Sequence, residues 1–179
     1  LQAEKVLVLQ YLRHPNAHLR GIAAEVLGKR PADEMVVLYL VGMLKDESLE
    51  VRQCSASALG DLKPQIAWEP LRKLVENKDE HIQVRQSALL ALPKISKEAA
   101  LPILLERLQE NDLAIRNSAI QAIGEIGGKV AIQTLLAILR GDPSRETRQI
   151  ALNSLIHIKD PLVAEALVQM ALQPGSVES

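Results

Sequence analysis

Apolar residues recur at spacings of three and four along this chain, and short polar clusters interrupt them at regular intervals. One run takes Leu101, Leu104, Leu105 and Leu108; another takes Ile132, Leu135, Leu136 and Leu139. An earlier one takes Met35, Leu38, Tyr39 and Val41 and ends at Leu44. This is the helical period, and the alternation of a strand fits it badly. A polar turn follows each run: His14-Pro15-Asn16, Asp46-Glu47-Ser48, Asp79-Glu80, Asn111-Asp112 and Asp142-Pro143-Ser144. Asp, Asn and Ser accept hydrogen bonds from the free N–H groups that open a helix, and negative charge suits that end of the dipole. Each turn therefore predicts the start of a second helix. Asp160-Pro161 reads as a cap followed by proline at the first helical position, opening a last helix that runs to about Gln173. Pro93 predicts that its helix ends early or kinks near Leu89, because proline removes a backbone bond and crowds the preceding turn.

The second helices share more than a polar start. Arg20, Arg52, Arg85, Arg116 and Arg148 stand 32, 33, 31 and 32 residues apart. A small residue follows each by three positions (Ala23, Ser55, Ala88, Ala119, Ala151) and a large aliphatic by seven (Leu27, Leu59, Leu92, Ile123, Leu155). An apolar residue precedes the first four; Thr147 precedes the fifth. Gly28, Gly60 and Gly124, eight positions after their arginines, are expected to let helices approach closely. A fixed period in the 20–50 range means stacked repeats rather than one closed globule. The fold class expected is all-α: a right-handed α-solenoid of about five helix pairs plus one extra helix. It forms a single array over residues 1–173, with repeats at about 1–30, 33–62, 66–96, 98–127 and 130–158, an extra helix at 161–173 and a polar tail at 174–179.

Composition narrows the function more than the fold. The chain has no Phe, one Trp (Trp68) and two Tyr (Tyr11, Tyr39). Such scarcity argues against base-stacking platforms and against aromatic cages for bilins or haem. The 21 basic and 22 acidic residues are spread evenly, net charge −1, so no electrostatic footprint for nucleic acid is visible. No apolar stretch reaches the ~18–20 residues that span a bilayer, so no membrane insertion is expected. A single cysteine rules out an internal disulfide framework and suits a reducing compartment, and with no signal-peptide pattern the expected location is the cytoplasm. Leu1 in place of Met, and a last helix without a mate, read as a fragment of a longer repeat protein; a complete chain with trimmed ends fits the same residues.

The repeated arginine shares its helical face with small and aliphatic residues, so its stem is expected to be half-buried. An acid stands six positions before it in four repeats (Asp46, Asp79, Glu110, Asp142), and His14 in the first. The simplest reading is a structural ladder of Arg20, Arg52, Arg85, Arg116 and Arg148 with turn groups such as Asp46, Asp79 and Asp142, in the same or the adjacent repeat. A planar guanidinium suits this because it offers several donors at fixed angles. A row of arginines for a polyanion is the alternative, which acids beside nearly every member disfavour.

The succession of acidic turn, Val-Arg, small residue and Ala-Leu-Gly, clearest from Asp46 through Val51-Arg52 to Ala58-Leu59-Gly60, resembles the HEAT-like repeat, in particular the short phycobilisome-lyase type. The resemblance spans nearly the whole chain and implies the solenoid fold; it implies little about activity, since fold does not fix function. Relatives with chemistry can be tested against the residues. Deoxyhypusine hydroxylase is expected to hold iron with His-Glu pairs, yet none of His14, His18, His81 and His157 is followed by Glu. HEAT-like alkylpurine DNA glycosylases use aromatic and basic groove residues in a combination absent here. A subunit of a phycobilin lyase or bilin-handling complex stays as the alternative function.

The leading expectation is a non-catalytic protein–protein interaction scaffold or regulatory module, binding a partner protein without a cofactor. In similar solenoids the second helices line the concave face. One position after each arginine stand Gly21, Gln53, Gln86, Asn117 and Gln149; five after, Glu25, Ser57, Leu90, Gln121 and Asn153; nine after, Lys29, Asp61, Lys94, Glu125 and His157. Steps of four keep these on one helical face. With helices 8–10 Å apart the strip is roughly 40 Å long. The expected partner-binding residues are Gln53, Ser57, Gln86, Leu90, Asn117, Gln121, Gln149 and Asn153; solvated polar positions of no function fit the same pattern. Exposed apolar ends would favour end-to-end self-association. His14 and His18 have ligand spacing but a turn between them and no third ligand, so no metal is expected. Cys54 reads as a half-buried small residue with no base beside it, and Trp68 as packing at the start of a first helix. No catalytic triad, phosphate loop or carboxylate pair stands out.

Overall fold

The computed structural model describes residues 10–31 and 33–172. Residues 1–9, the end of the last helix at Gln173 and the polar tail lie outside them. Regular structure among the described residues is entirely helical. In order, α1 is Ala17–Gly28, α2 Glu34–Met43, α3 Leu49–Leu62, α4 Trp68–Glu76, α5 Ile82–Ile95, α6 Lys97–Arg107, α7 Leu113–Ile126, α8 Gly128–Gly141, α9 Arg145–His157 and α10 Pro161–Leu172. A short 3-10 turn, Gln65–Ala67, leads into α4. The chain divides into two compact units, Leu1–Ala100 and Leu101–Ser179.

Side-chain caps start most of the second helices where the polar turns predict. Asn16 caps α1 by accepting from His18 N–H, Asp112 caps α7 from the N–H groups of Ala114 and Ile115, and Ser144 caps α9 from Thr147 N–H. Before α3 the cap position is Ser48, but the bond is made by Asp46, which accepts from Ser48 N–H at 2.8 Å.

In the first unit α3 lies between α1 and α5, with α2 against α3 and α4 against α5. In the second, α9 packs on both α7 and α8. Two registers repeat. On the second helices the small residue three after each arginine and the aliphatic seven after it are all buried. On the first helices a buried pair four apart recurs: Val36 and Leu40, Leu71 and Val75, Ala100 and Leu104, Ala131 and Leu135. Glycine sets how close successive second helices come. A Cβ on Gly28 would lie 2.7 Å from Ala58 Cα, one on Gly60 2.8 Å from Ala91 Cβ, and one on Gly124 2.7 Å from Ser154 Cβ. Position eight of one repeat thus meets position six of the next.

Two expectations need correction. The face of α2 is not the one chosen from spacing: Met35 and Leu38 are 56% and 52% exposed, while Val36, Val37 and Leu40 are buried. Apolar residues surround α2 almost completely, so periodicity discriminates poorly there. Nor does Pro93 end its helix early. α5 continues to Ile95 with Pro93 buried in its last turn, and Ser96 N–H still bonds Leu92 C=O at 3.1 Å. So near the C-terminus a proline removes one bond and leaves few residues to displace.

Candidate binding surface

The arginines fix the turns that flank the surface. Nη1 of Arg20, Arg52, Arg116 and Arg148 donates to two main-chain carbonyls, six and five residues earlier: His14 and Pro15 (2.9 and 3.0 Å), Asp46 and Glu47 (2.8 and 3.1 Å), Glu110 and Asn111 (2.9 and 3.2 Å), Asp142 and Pro143 (2.7 and 3.3 Å). The position six before the arginine therefore supplies a carbonyl to it, not a carboxylate. Carboxylates come from the next repeat, as at Arg20 and Arg52. Arg20 Nε and Nη2 grip Asp46 at 2.9 and 2.7 Å, and Arg52 Nη2 meets Glu80 at 2.7 Å. Asp79 does not serve the ladder: it is exposed in a turn where its N–H bonds Asn77 Oδ1, and Glu80 beside it takes Arg52. Asp142 spends its carboxylate on Ser144 N–H at 2.8 Å. Arg85 departs as well, donating from Nε and Nη2 to Val75 C=O at the end of α4.

These pairs predict acid sensitivity. Burial pushes the Asp46 carboxyl up, but its bonds to Arg20 and Ser48 N–H and the nearby arginine charges outweigh burial and hold it below the ordinary carboxylate value. Glu80 is lowered against burial in the same way by Arg52 and His81 N–H. Both carboxyls bind protons less tightly folded than unfolded. Their stabilisation is complete above the ordinary carboxylate range of about 4 and is lost as pH falls through the lowered folded values. Thermal melts should show Tm falling as pH drops from about 5 to about 3, with a shallower slope in Asp46→Asn/Glu80→Gln. A variant losing Tm as steeply as the parent would remove these pairs as the source.

Between the turns lie the expected strip residues, of which Ser57, Gln121, Gln149 and Asn153 are exposed and Gln53 and Asn117 half-buried. In the first unit Glu25, Lys29, Gln53, Ser57 and Asp61 line a groove of about 350 Å³, with Cys54 and Ser87 beside them. Gln86 and Leu90 of α5 are half-buried. In the second unit Gln121, Glu125, Asn153 and His157 line a groove of about 590 Å³, with Gly124, Ser154 and Ile150. Gln149 is exposed and donates to Asn153 Oδ1 at 3.0 Å. Asn117 is different: its amide is engaged with α9, accepting from Thr147 Oγ1 at 3.1 Å and donating to Glu146 at 3.4 Å. That bond accounts for the one polar residue at the apolar position before the arginine, and a sequence reader could find it as Thr147 paired with the one Asn in its column.

The remaining candidates fit no chemistry. His14 Nδ1 accepts from Asn16 N–H, and His18 Nδ1 meets Glu50 Oε1 at 2.7 Å. Among the described residues no group of three or more His, Cys, Asp or Glu could hold a metal ion. Burial, then the Glu50 and Glu25 carboxylates, push the Cys54 thiol up, which makes it a poor nucleophile at neutral pH. Trp68 opens α4, half-buried. The exposed large apolar residues of α10 are Leu162, Val168 and Leu172. No described helix is long and apolar enough to cross a membrane.

Helix pairs in fixed register, glycine-closed contacts and a polar strip on the second helices define an α-helical repeat protein of the solenoid class. The chain belongs to the HEAT repeat family, whose model matches residues 5–82, 69–156 and 112–177. Among curated proteins none matches it. Among solved structures it is similar to the complex of CpcE and CpcF of phycocyanin lyase from Nostoc sp. PCC7120, at 24% identity and a TM-score of 0.67 over 93% of this chain and 69% of that one. An engineered protein matches at 20% identity and a TM-score of 0.55, over 93% and 84%. A computationally designed armadillo repeat protein for modular peptide recognition matches at 18% and 0.51, over 84% and 80%. At these identities the likeness is one of fold.

Proposed function

We propose that this chain is a non-catalytic scaffold that binds a partner protein along the exposed face of its second helices. The observation that carries the reading is the pair of grooves. In each unit the strip positions five and nine residues after the arginines converge on a groove between successive second helices. Amides and hydroxyls there offer both donors and acceptors, which suits main-chain groups of an extended segment or the polar side of a helix. HEAT repeats commonly serve such a role, and the turns that border the face are held rigidly by the arginines, which limits the ordering cost of binding.

A pull-down from lysate of the source organism tests this, with a control bait carrying Gln53→Glu, Ser57→Glu and Gln121→Glu. A protein retained by the parent and lost by the control is the expected result. Each substitution should shift stability by no more than about 0.5 kcal/mol, because all three side chains line open grooves. Equal retention on both baits would place the binding face elsewhere. The likeness to the phycocyanin lyase complex motivates the alternative, a bilin-handling subunit. Mixing the chain with a bilin should leave the pigment's absorption unchanged; a band shift, or phycobiliproteins on the bait, would put the lyase reading first.

A further inference from the structure

We infer that the groove between α7 and α9 receives an arginine or lysine side chain from an extended partner segment, with Glu125 as the acceptor of its charge. The inference rests on the scaffold reading and specifies its ligand. The two grooves differ in how their charges are spent. In the first unit Glu25 is paired with Lys29 at 2.5 Å, and Asp61 with Lys94 of α5 at 2.9 Å, so the acids are neutralised within the fold. In the second unit the Glu125 carboxylate has no hydrogen bond or ion pair among the described residues, and it is exposed on the groove wall.

The other polar groups on these walls reinforce that sign. His157 Nδ1 lies 2.7 Å from Asn153 C=O. A carbonyl only accepts, so Nδ1 carries the hydrogen, and Nε2 is an acceptor whenever the ring is uncharged. The carboxylate, and the imidazole in its uncharged form, both favour a donor. Asn153 Oδ1 is occupied by Gln149, which leaves the Asn153 amide N–H groups for a carbonyl of the incoming backbone. Gln121 and Ser154 can serve either way. The floor is built for an aliphatic stem. Gly124 brings α7 against Ser154, and Ile150 lies one turn before Ser154, about 6 Å along the helix. Glu125 follows Gly124 directly. A side chain lying along the groove therefore passes methylenes over Ile150 and ends at a carboxylate, the arrangement that long cationic side chains prefer.

The test is titration of the full chain with a labelled hexapeptide alternating serine and arginine, and with the same peptide carrying neutral citrulline. Binding is read by fluorescence anisotropy and mapped by amide shifts in 15N spectra. The expected result is shifts centred on Gln121, Glu125, Asn153 and His157. Replacing arginine by citrulline, or Glu125→Gln in the protein, should weaken binding about three- to tenfold. Glu125 is exposed, so the variant should keep the parent's circular dichroism. Equal affinity for the citrulline peptide, an unchanged Glu125→Gln variant, shifts confined to the first unit's groove, or no binding at millimolar peptide would each overturn the inference. A partner captured by the parent bait and lost by the strip variant would leave the scaffold reading standing in every one of those cases.

Discussion

Leu135→Ala should cost about 2–5 kcal/mol, whereas Leu167→Ala, the same change one repeat later, should cost less than about 1.5 kcal/mol. The two leucines hold equivalent places in the register of the first helices. Ala131 and Leu135 are the buried pair of α8, and Val163 and Leu167 are the corresponding pair of α10. Leu135 is fully buried in the packing of α8, and truncating it removes several methylene groups and leaves a cavity. Leu167 is only half-buried; on α10 Val163 is the one buried residue. Solvent can occupy most of the space that alanine would vacate there, so the cavity term nearly vanishes. Urea denaturation followed by circular dichroism reads both. Repeat proteins need not unfold in one step, so the comparison is between midpoints and slopes of the second unit's transition. A loss at Leu167 as large as that at Leu135 would mean that α10 is packed far more tightly than its exposure indicates.

The repeat was legible in the sequence because stacking constrains the same few atoms in every copy. Arginine must reach carbonyls of its own turn, a small residue must admit the next helix, and an aliphatic must fill the space between. Where one side chain had several acceptable neighbours, legibility failed. In α2 nearly every residue is apolar, and spacing picked Met35 and Leu38 over Val36 and Val37. Asp79 and Glu80 are adjacent acids; which one meets Arg52 depends on turn geometry, and here the exposed turn of Asn77 claims Asp79. The strip positions follow from steps of four, and of the eight expected partner-binding residues Gln53, Ser57, Gln121 and Asn153 line the two grooves. Which strip residues are already engaged was not readable from that spacing. Asn117 ties to Thr147, and Asp61 pairs with Lys94 at the same repeat position one copy later. Such pairs become visible only when positions are compared down the stack rather than along a helix. That comparison separates the neutralised groove of the first unit from the acidic one of the second.

The same register gives glycine two opposite meanings in one unit. Gly60→Ala should destabilise the protein by about 1–3 kcal/mol, and Gly42→Ala should stabilise it by up to about 1 kcal/mol. A Cβ on Gly60 would sit 2.8 Å from Ala91 Cβ and 2.9 Å from Ala91 Cα. Those atoms belong to the backbone frame of α5 and cannot swing aside as the end of a long side chain would. Relief requires α3 and α5 to part, which loosens the buried contacts of Leu59 and Leu92 together. A Cβ on Gly42 meets nothing within 4 Å, and the residue is inside α2. Alanine there restricts the unfolded chain without touching the folded one, so the ordinary helix preference for alanine over glycine decides the sign. Melting curves of the two variants should move in opposite directions. Ala91→Gly in the Gly60→Ala background should recover part of the loss, since it removes the nearer of the two obstructing atoms; glycine's own cost of roughly 1 kcal/mol within α5 keeps the recovery incomplete. A Gly60→Ala protein that melts at or above the parent, or a double variant with no coupling between the sites, would show that α3 and α5 are not held at glycine distance.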